Sequence, residues 1–229
     1  MTYVLAASRM GYADLTERLA ETTGEDFHLI EDRSEFTLER LTALNPRLVF
    51  LPHWSYLVPR EIFEKFECVI FHMTDLPFGR GGSPLQNLIT RGICETKLTA
   101  LRCVAEVDAG PIYLQKPMGL AGTAEEIYGR GALLVEQMIQ EIIITQPKPH
   151  SQTGEIVTFK RRTPEQSNLA GMTDPQHIYD HIRMLDAEGY PHAFLEVEGL
   201  RLEFTGAELN DGSVKSQVRV IPSDTKGGA

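Results

Sequence analysis

Four short apolar runs recur early in the chain: TYVLAA at 2–7, FHLI at 27–30, RLVFLPHW at 47–54 and CVIFHM at 68–73. Each is short enough to be a buried strand rather than a core helix. Helix-like stretches at 12–22, 36–44 and 59–66 separate them, and the last opens on Pro59, which suits a first helical turn. Apolar strands alternating with helices predict a parallel sheet covered on both faces. Ligands in such sheets bind beyond the carboxyl ends of the strands. His53 and Trp54 close one run and His72 closes the next. The pattern therefore puts three chemistry-bearing side chains at the edge where a site belongs.

The rest of the chain divides unevenly. LQNLITRG predicts a short helix, and ETKLTALRCVAE and PIYLQKPMGL predict two strands joined by VDAG. A long helix follows at 124–144, opened by a Thr123/Glu126 capping box. Its stripe of Ile127, Leu134, Val135, Met138 and Ile142 marks a core face. QPKPHSQTG at 146–154 is rich in proline and polar residues and reads as a linker. Beyond it, EIVTFKRR predicts a strand, and Asp174-Pro175 opens a helix with Ile178, Ile182 and Leu185 inward. Residues 193–204 predict a hairpin around Glu198-Gly199, and the tail SDTKGGA is expected to fray. The expected fold is α/β: a Rossmann-like, mostly parallel sheet with helices on both faces over 1–150, then a small α+β subdomain over 151–229.

Charge and cysteines narrow the partners. With 22 basic and 32 acidic residues the net charge is −10, which gives no general attraction for phosphate backbones. Nucleic acid is not expected as the partner. No apolar stretch approaches the roughly 20 residues of a membrane span, and no leader-like start is present. Cys68, Cys94 and Cys103 form no C-x-x-C pair and read as reduced thiols of a cytoplasmic protein. No phosphate-loop, dinucleotide or nucleophile-elbow motif occurs. His177 and His181 stand four apart on a predicted helix, but no acidic base sits between them as in H-E-x-x-H, and no nearby third ligand is evident. They read as a solvent-facing pair, and no metal is expected.

The remaining chemistry gathers around FHMTDLPFGRGGSP at 71–84. GRGGS preceding a helix is either an anion cradle or a turn whose glycines allow positive φ. Asp108 in VDAGPI is either a turn residue or a partner for His72. Arg80 can meet a substrate phosphate or a local carboxylate, and Trp54 can stack on a ring or belong to the core.

In order, His72, Thr74, Pro77, Arg80, Gly81 and Pro84 spell H-x-T-x-x-P-x-x-R-G-x-x-P. Thr96 and Thr99 follow, then Asp108, Gly110, Ile112 and Gln115. This pattern resembles the formyltransferases that use 10-formyltetrahydrofolate. FKRRTPEQS at 159–167 and YDHIRMLDAEGYPHAF at 179–194 resemble the methionyl-tRNA and sugar N-formyltransferase branch. The chain is acidic and short for that branch's C-terminal tRNA domain. The resemblance therefore implies a sugar N-formyltransferase, closest in wording to the pseudaminic-acid-pathway type, acting on a nucleotide-linked amino sugar in the cytoplasm. A homodimer is compatible with it.

The resemblance also implies roles. His72 would donate to the formyl oxygen, with Asp108 orienting it. His53, Trp54 and Ser55 would border the folate, and Val104, Ala105 and Glu106 would face its pterin. Arg80, Gly81, Gly82, Ser83 and Gln86 would meet the acceptor. The family usually reads Asn-x-His where this chain has Ile70-Phe71-His72. Thr74, Gln86 and Asn87 are the expected replacements for the missing amide. The alternatives are a catalytically silent folate or sugar-nucleotide binding module, and transfer to an aminoacyl group on a carrier.

Overall fold

The structure is a computed structural model, and it describes residues 1–8 and 12–223. In chain order the elements are β1 (Thr2–Ala6), α1 (Tyr12–Thr23), β2 (Asp26–Ile30), α2 (Leu38–Leu44), β3 (Leu48–Leu51), α3 (Arg60–Lys65), β4 (Cys68–His72) and β5 (Phe78–Gly81). Next come α4 (Pro84–Ile89), β6 (Glu95–Arg102), β7 (Ile112–Gly119) and α5 (Ala124–Thr145). The chain ends in β8 (Val157–Phe159), α6 (Pro175–Arg183), β9 (Ala193–Val197), β10 (Leu200–Asn210) and β11 (Ser213–Pro222). The expected frayed tail lies almost wholly outside the described residues.

Two compact units emerge, each discontinuous in sequence. The first comprises Met1–Gly81, Thr96–Met118 and Arg130–Thr158; the second comprises Gly82–Glu95, Gly119–Gly129 and Phe159–Ala229. A single division at residue 150 describes neither, because segments 82–95 and 119–129 pack with the C-terminal half.

The first unit is built on a sheet of order β2-β1-β3-β4-β6-β7. β1 pairs parallel with β2 and β3, β3 pairs parallel with β4, and β6 runs antiparallel to β4. This is the expected mostly parallel α/β sheet. Tyr3, Val4, Leu5, Val49, Phe50, Leu51, Cys68 and Val69 are all buried, so successive side chains on both faces of these strands lie in the core. The predicted capping box at α5 is present: Glu126 N–H donates to Thr123 Oγ1 and Thr123 N–H to Glu126.

The second unit carries an antiparallel sheet of order β11-β10-β9. The β9–β10 turn falls at Glu198-Gly199, whose φ values of 46° and 85° fit a tight primed hairpin turn. A second such turn at Asp211-Gly212 joins β10 to β11, a hairpin beyond the one expected at residues 193–204. The segment at 146–154, expected to be a linker, is instead part of the first unit. His150 exchanges backbone hydrogen bonds with Ile112, and Gln152 is tied to the Asp108 loop.

Candidate active site

His72 is the last residue of β4, and its imidazole is buried. Nε2 lies 2.8 Å from the Gly79 carbonyl oxygen. A carbonyl only accepts, so Nε2 carries the proton and donates. The other ring nitrogen, Nδ1, lies 3.5 Å from Asp108 Oδ2, beyond a good hydrogen bond yet close enough for strong charge interaction. The two side chains are only 8% and 10% exposed. Asp108 Oδ2 also accepts the Gly81 N–H at 2.9 Å. Asp108 adopts a left-handed backbone, with φ of 52°, which an aspartate tolerates better than most residues.

Further polar side chains stiffen this pair. Thr74 Oγ1 donates to the same Gly79 carbonyl at 3.3 Å. Thr99 Oγ1 donates to the Thr74 carbonyl at 2.7 Å and accepts from Gln115 Nε2 at 2.9 Å. Thr99 also stands opposite His72 in the β4–β6 ladder. Gly110 leaves no room for a side chain, since a Cβ there would sit 1.7 Å from the Arg102 carbonyl oxygen.

The turn after β4 thus resolves residue by residue. Gly79 holds His72 through its carbonyl. Arg80 pairs with Glu106 at 2.9 Å and with Gln152, so of its two readings the local carboxylate is the one realised. Gly81 holds Asp108 through its N–H. The chain then passes into the second unit, where Gly82 packs so close to Arg161 that a Cβ would lie 2.6 Å from that residue's own Cβ. Ser83 Oγ accepts the Arg162 N–H at 3.1 Å.

The expected stand-ins for the missing amide are committed elsewhere. The Thr74 hydroxyl donates to Gly79. Gln86 donates to Tyr128 Oη and the Met184 carbonyl. Asn87 donates to the carbonyls of Gly82, Ser83 and Lys160. Ile70 itself packs against buried Leu76, Leu101 and Ile112, which leaves it in apolar surroundings.

Trp54 is half-buried against Phe36, with ring centroids 4.8 Å apart, so core packing accounts for one of its faces. Its indole N–H is nevertheless buried without a hydrogen-bond partner among the described residues. A buried orphan donor is rare and marks a place for a missing acceptor. His53 takes a left-handed backbone conformation, and Ser55 donates its N–H to Ser8. Val104, Ala105 and Glu106 form the half-buried to exposed loop that follows β6.

The histidine pair of α6 separates. His177 is exposed beside Asp174, whereas His181 is buried and hydrogen-bonded to the Gln166 carbonyl at 2.7 Å. The expectation that both face solvent fails for His181, because Arg162 and the 164–167 turn cover it. No group of metal-ligating side chains occurs among the described residues. All three cysteines are free; Cys68 and Cys103 are buried, and burial pushes the Cys103 thiol up to about 11.

A buried histidine–carboxylate pair on a parallel sheet, held by the turn after its strand, defines an α/β site equipped for proton and charge handling. Residues 164–221 match the family described as methionyl-tRNA formyltransferase, C-terminal domain. A solved structure named as methionyl-tRNA formyltransferase from Clostridium thermocellum is 42% identical over 97% of this chain and 100% of its own, with a TM-score of 0.94. Methionyl-tRNA formyltransferase of Bacillus thuringiensis is 28% identical over 179 residues. That match takes in 74% of this chain but 56% of the curated relative, so the chain spans little more than half its length. A Mycobacterium tuberculosis protein described as a likely sugar N-formyltransferase shares the fold, with TM-score 0.70 at 17% identity. The chain belongs to the formyltransferase family. The match at 164–221 overlaps the segments 159–167 and 179–194 that resemble the methionyl-tRNA and sugar branch, and it falls on that enzyme's C-terminal domain family, for which the chain is expected to be too short.

Proposed function

We propose that the chain transfers a formyl group from 10-formyltetrahydrofolate to a primary amine, with His72 and Asp108 carrying the chemistry. The supporting observation is the buried His72–Asp108 pair, fixed at both ends by the Gly79 carbonyl and the Gly81 N–H. When the acceptor amine attacks the formyl carbon, negative charge gathers on the formyl oxygen and the nitrogen must lose a proton. Nε2 is committed to Gly79, so Nδ1 is the ring atom that serves the reaction. Protonated, it donates to the charged oxygen; neutral, it accepts the proton of the amine. Asp108 places a carboxylate oxygen 3.5 Å from that nitrogen, so it can orient the ring during the exchange. Trp54, with its unpaired indole N–H, and the Val104–Glu106 loop are the residues that would hold the folate.

Two acceptors have specific support. A net charge of −10 favours a small nucleotide-linked amino sugar over a polyanionic RNA. The pseudaminic-acid-pathway type within that class rests only on the wording of residues 72–89. The relatives named as methionyl-tRNA formyltransferases favour the aminoacyl group of a tRNA. Cytoplasmic placement belongs to the same proposal, supported by three free cysteines. Among the described residues no helix is long and apolar enough to cross a membrane.

One assay tests the reading. The protein is incubated with 10-formyltetrahydrofolate and either a panel of nucleotide amino sugars or methionyl-tRNA, and products are weighed by mass spectrometry. An added formyl group on one class, lost in His72→Ala, is expected. Folate binding without formylated product from any acceptor would leave a binding module and sink the enzyme reading.

A further inference from the structure

Gln152 lies in the stretch whose composition suggests a linker, yet its side-chain amide is fully used. Oε1 accepts from Arg80 Nε at 3.1 Å and from Arg80 Nη2 at 2.8 Å. Nε2 donates to the Asp108 carbonyl and to the Gly110 carbonyl, each at 2.8 Å. An amide has two donors and two acceptor lone pairs, and all four are spent here. Its orientation is also unambiguous: the flipped amide would turn its NH2 toward a guanidinium and its oxygen toward two carbonyls.

These two carbonyls belong to Asp108 itself and to Gly110, two residues further along the turn that presents the carboxylate. The turn needs outside support, because Asp108 is held at φ of 52°, a conformation that costs a non-glycine residue energy. Hydrogen bonds from Gln152 grip the strained residue's own carbonyl and the backbone just after it. The grip is in turn anchored on Arg80, between the two glycines that hold His72 and Asp108. One amide thus connects the turn carrying the carboxylate with the turn carrying its partner's hydrogen bonds.

We propose that Gln152 is a positioning residue for the reaction: it fixes Asp108 at working distance from His72 Nδ1 by bonding the carbonyl of Asp108 itself and that of Gly110. This rests on the formyl-transfer reading for the role of the pair, while the positioning itself can be read without turnover. Gln152 touches no reacting atom and acts through Asp108.

Two variants separate its two ends. Gln152→Leu removes all four hydrogen bonds. Gln152→Glu keeps an acceptor for Arg80 but loses the donors to the Asp108 and Gly110 carbonyls. Both are expected to lower kcat roughly 10- to 100-fold, the scale of a misplaced catalytic group, with KM for either substrate within about threefold. Combined with Asp108→Asn, Gln152→Leu should add no further loss, because residues acting as one unit are non-additive. A merely structural glutamine would instead add its loss to that of Asp108→Asn. Near-wild-type kcat in Gln152→Glu, or additive losses in the double variant, overturns the proposal.

The second readout is the 15N signal of His72 Nδ1 in the folded protein. It should move in Gln152→Glu, and an unchanged signal also overturns the proposal. Absence of formyl transfer by the wild type would instead count against the functional reading and leave this spectroscopic arm to decide the placement of Asp108. Should Gln152→Leu fail to fold, Gln152→Glu carries both readouts.

Discussion

Among the described residues, the polar side chains around His72 in the first unit and those around Arg183 in the second solve their hydrogen bonding differently. In the second unit the side chains of Gln86, Asn87, Arg162, His181 and Arg183 spend donors on backbone carbonyls at ordinary distances. Arg183 alone fastens the Leu120 and Gly122 carbonyls while pairing with Asp180. Such a cluster staples loops, and it gains by leaving nothing unmet. In the first unit the surrounding groups are equally well satisfied, but the central contact is not: His72 Nδ1 and Asp108 face each other across 3.5 Å. The difference teaches that burial of a polar residue does not by itself mark function; what sets the first cluster apart is a buried imidazole and carboxylate facing each other at 3.5 Å, too far for a good hydrogen bond.

The largest expected effect would break the comparison if absent. His72→Ala should lower formyl transfer roughly 100- to 10,000-fold, the usual worth of a positioned proton-transfer group, while the melting temperature falls only modestly. A turnover within tenfold of wild type would show that the pair is another staple.

Next in size is Ile70→Asn, which puts the amide implied by the resemblance two residues before His72 on β4. One oxyanion donor is worth roughly 100- to 1000-fold, so a gain of at least tenfold in kcat is expected. The amide would enter the apolar company of Leu76, Leu101 and Ile112, which costs about 1–3 kcal/mol of stability unless it is hydrogen-bonded. Turnover and urea unfolding measured together check both signs. Lost stability with no gain in rate would place the oxyanion away from Ile70.

How much of this was readable beforehand depends on what each feature rests on. Strands β1 to β4 were legible because parallel strands buried on both faces must be apolar throughout, as VFL in Leu48–Leu51 is. His72 and Asp108 were legible as parts of an ordered pattern, although only the fold brings them together. Gln152 was not, because its partners are far away in sequence and its neighbourhood of prolines and polar residues has the composition of a loop. Proximity in sequence misled for Gln86 and Asn87: the chain enters the second unit at Gly82, and their amides are consumed there. His181 was misread because helical spacing places it with His177 on one face but cannot say that Arg162 and the 164–167 turn cover one of the two.

The same contrast predicts smaller effects in the second cluster. Asn87→Ala leaves three carbonyls without their shared donor and should cost about 1–3 kcal/mol in urea unfolding. Turnover per folded molecule should change far less than in His72→Ala. A loss of activity matching His72→Ala with unaltered stability would move Asn87 from the staple to the reaction.

The smallest effect is a pH dependence. Burial, and secondarily the Arg162 charge, holds the His181 imidazole below its ordinary value, against the opposing hydrogen bond to Gln166. A base whose folded value is depressed is neutral in the native state and takes up a proton more readily when unfolded. The unfolded chain therefore binds more protons as pH drops below the ordinary histidine value of about 6.5. The stability associated with neutral His181 is complete above that value and shrinks as pH falls through the lower folded one. Urea midpoints taken between pH 7.5 and pH 5, ordinary assay conditions on either side of about 6.5, should decline more steeply for the wild type than for His181→Gln. The glutamine can still donate to the Gln166 carbonyl but cannot titrate. Parallel declines would mean that His181 is protonated as easily when folded as when unfolded. The buried cluster of the second unit would then contain a free titrating group, and the line between staple and site would have to be drawn elsewhere.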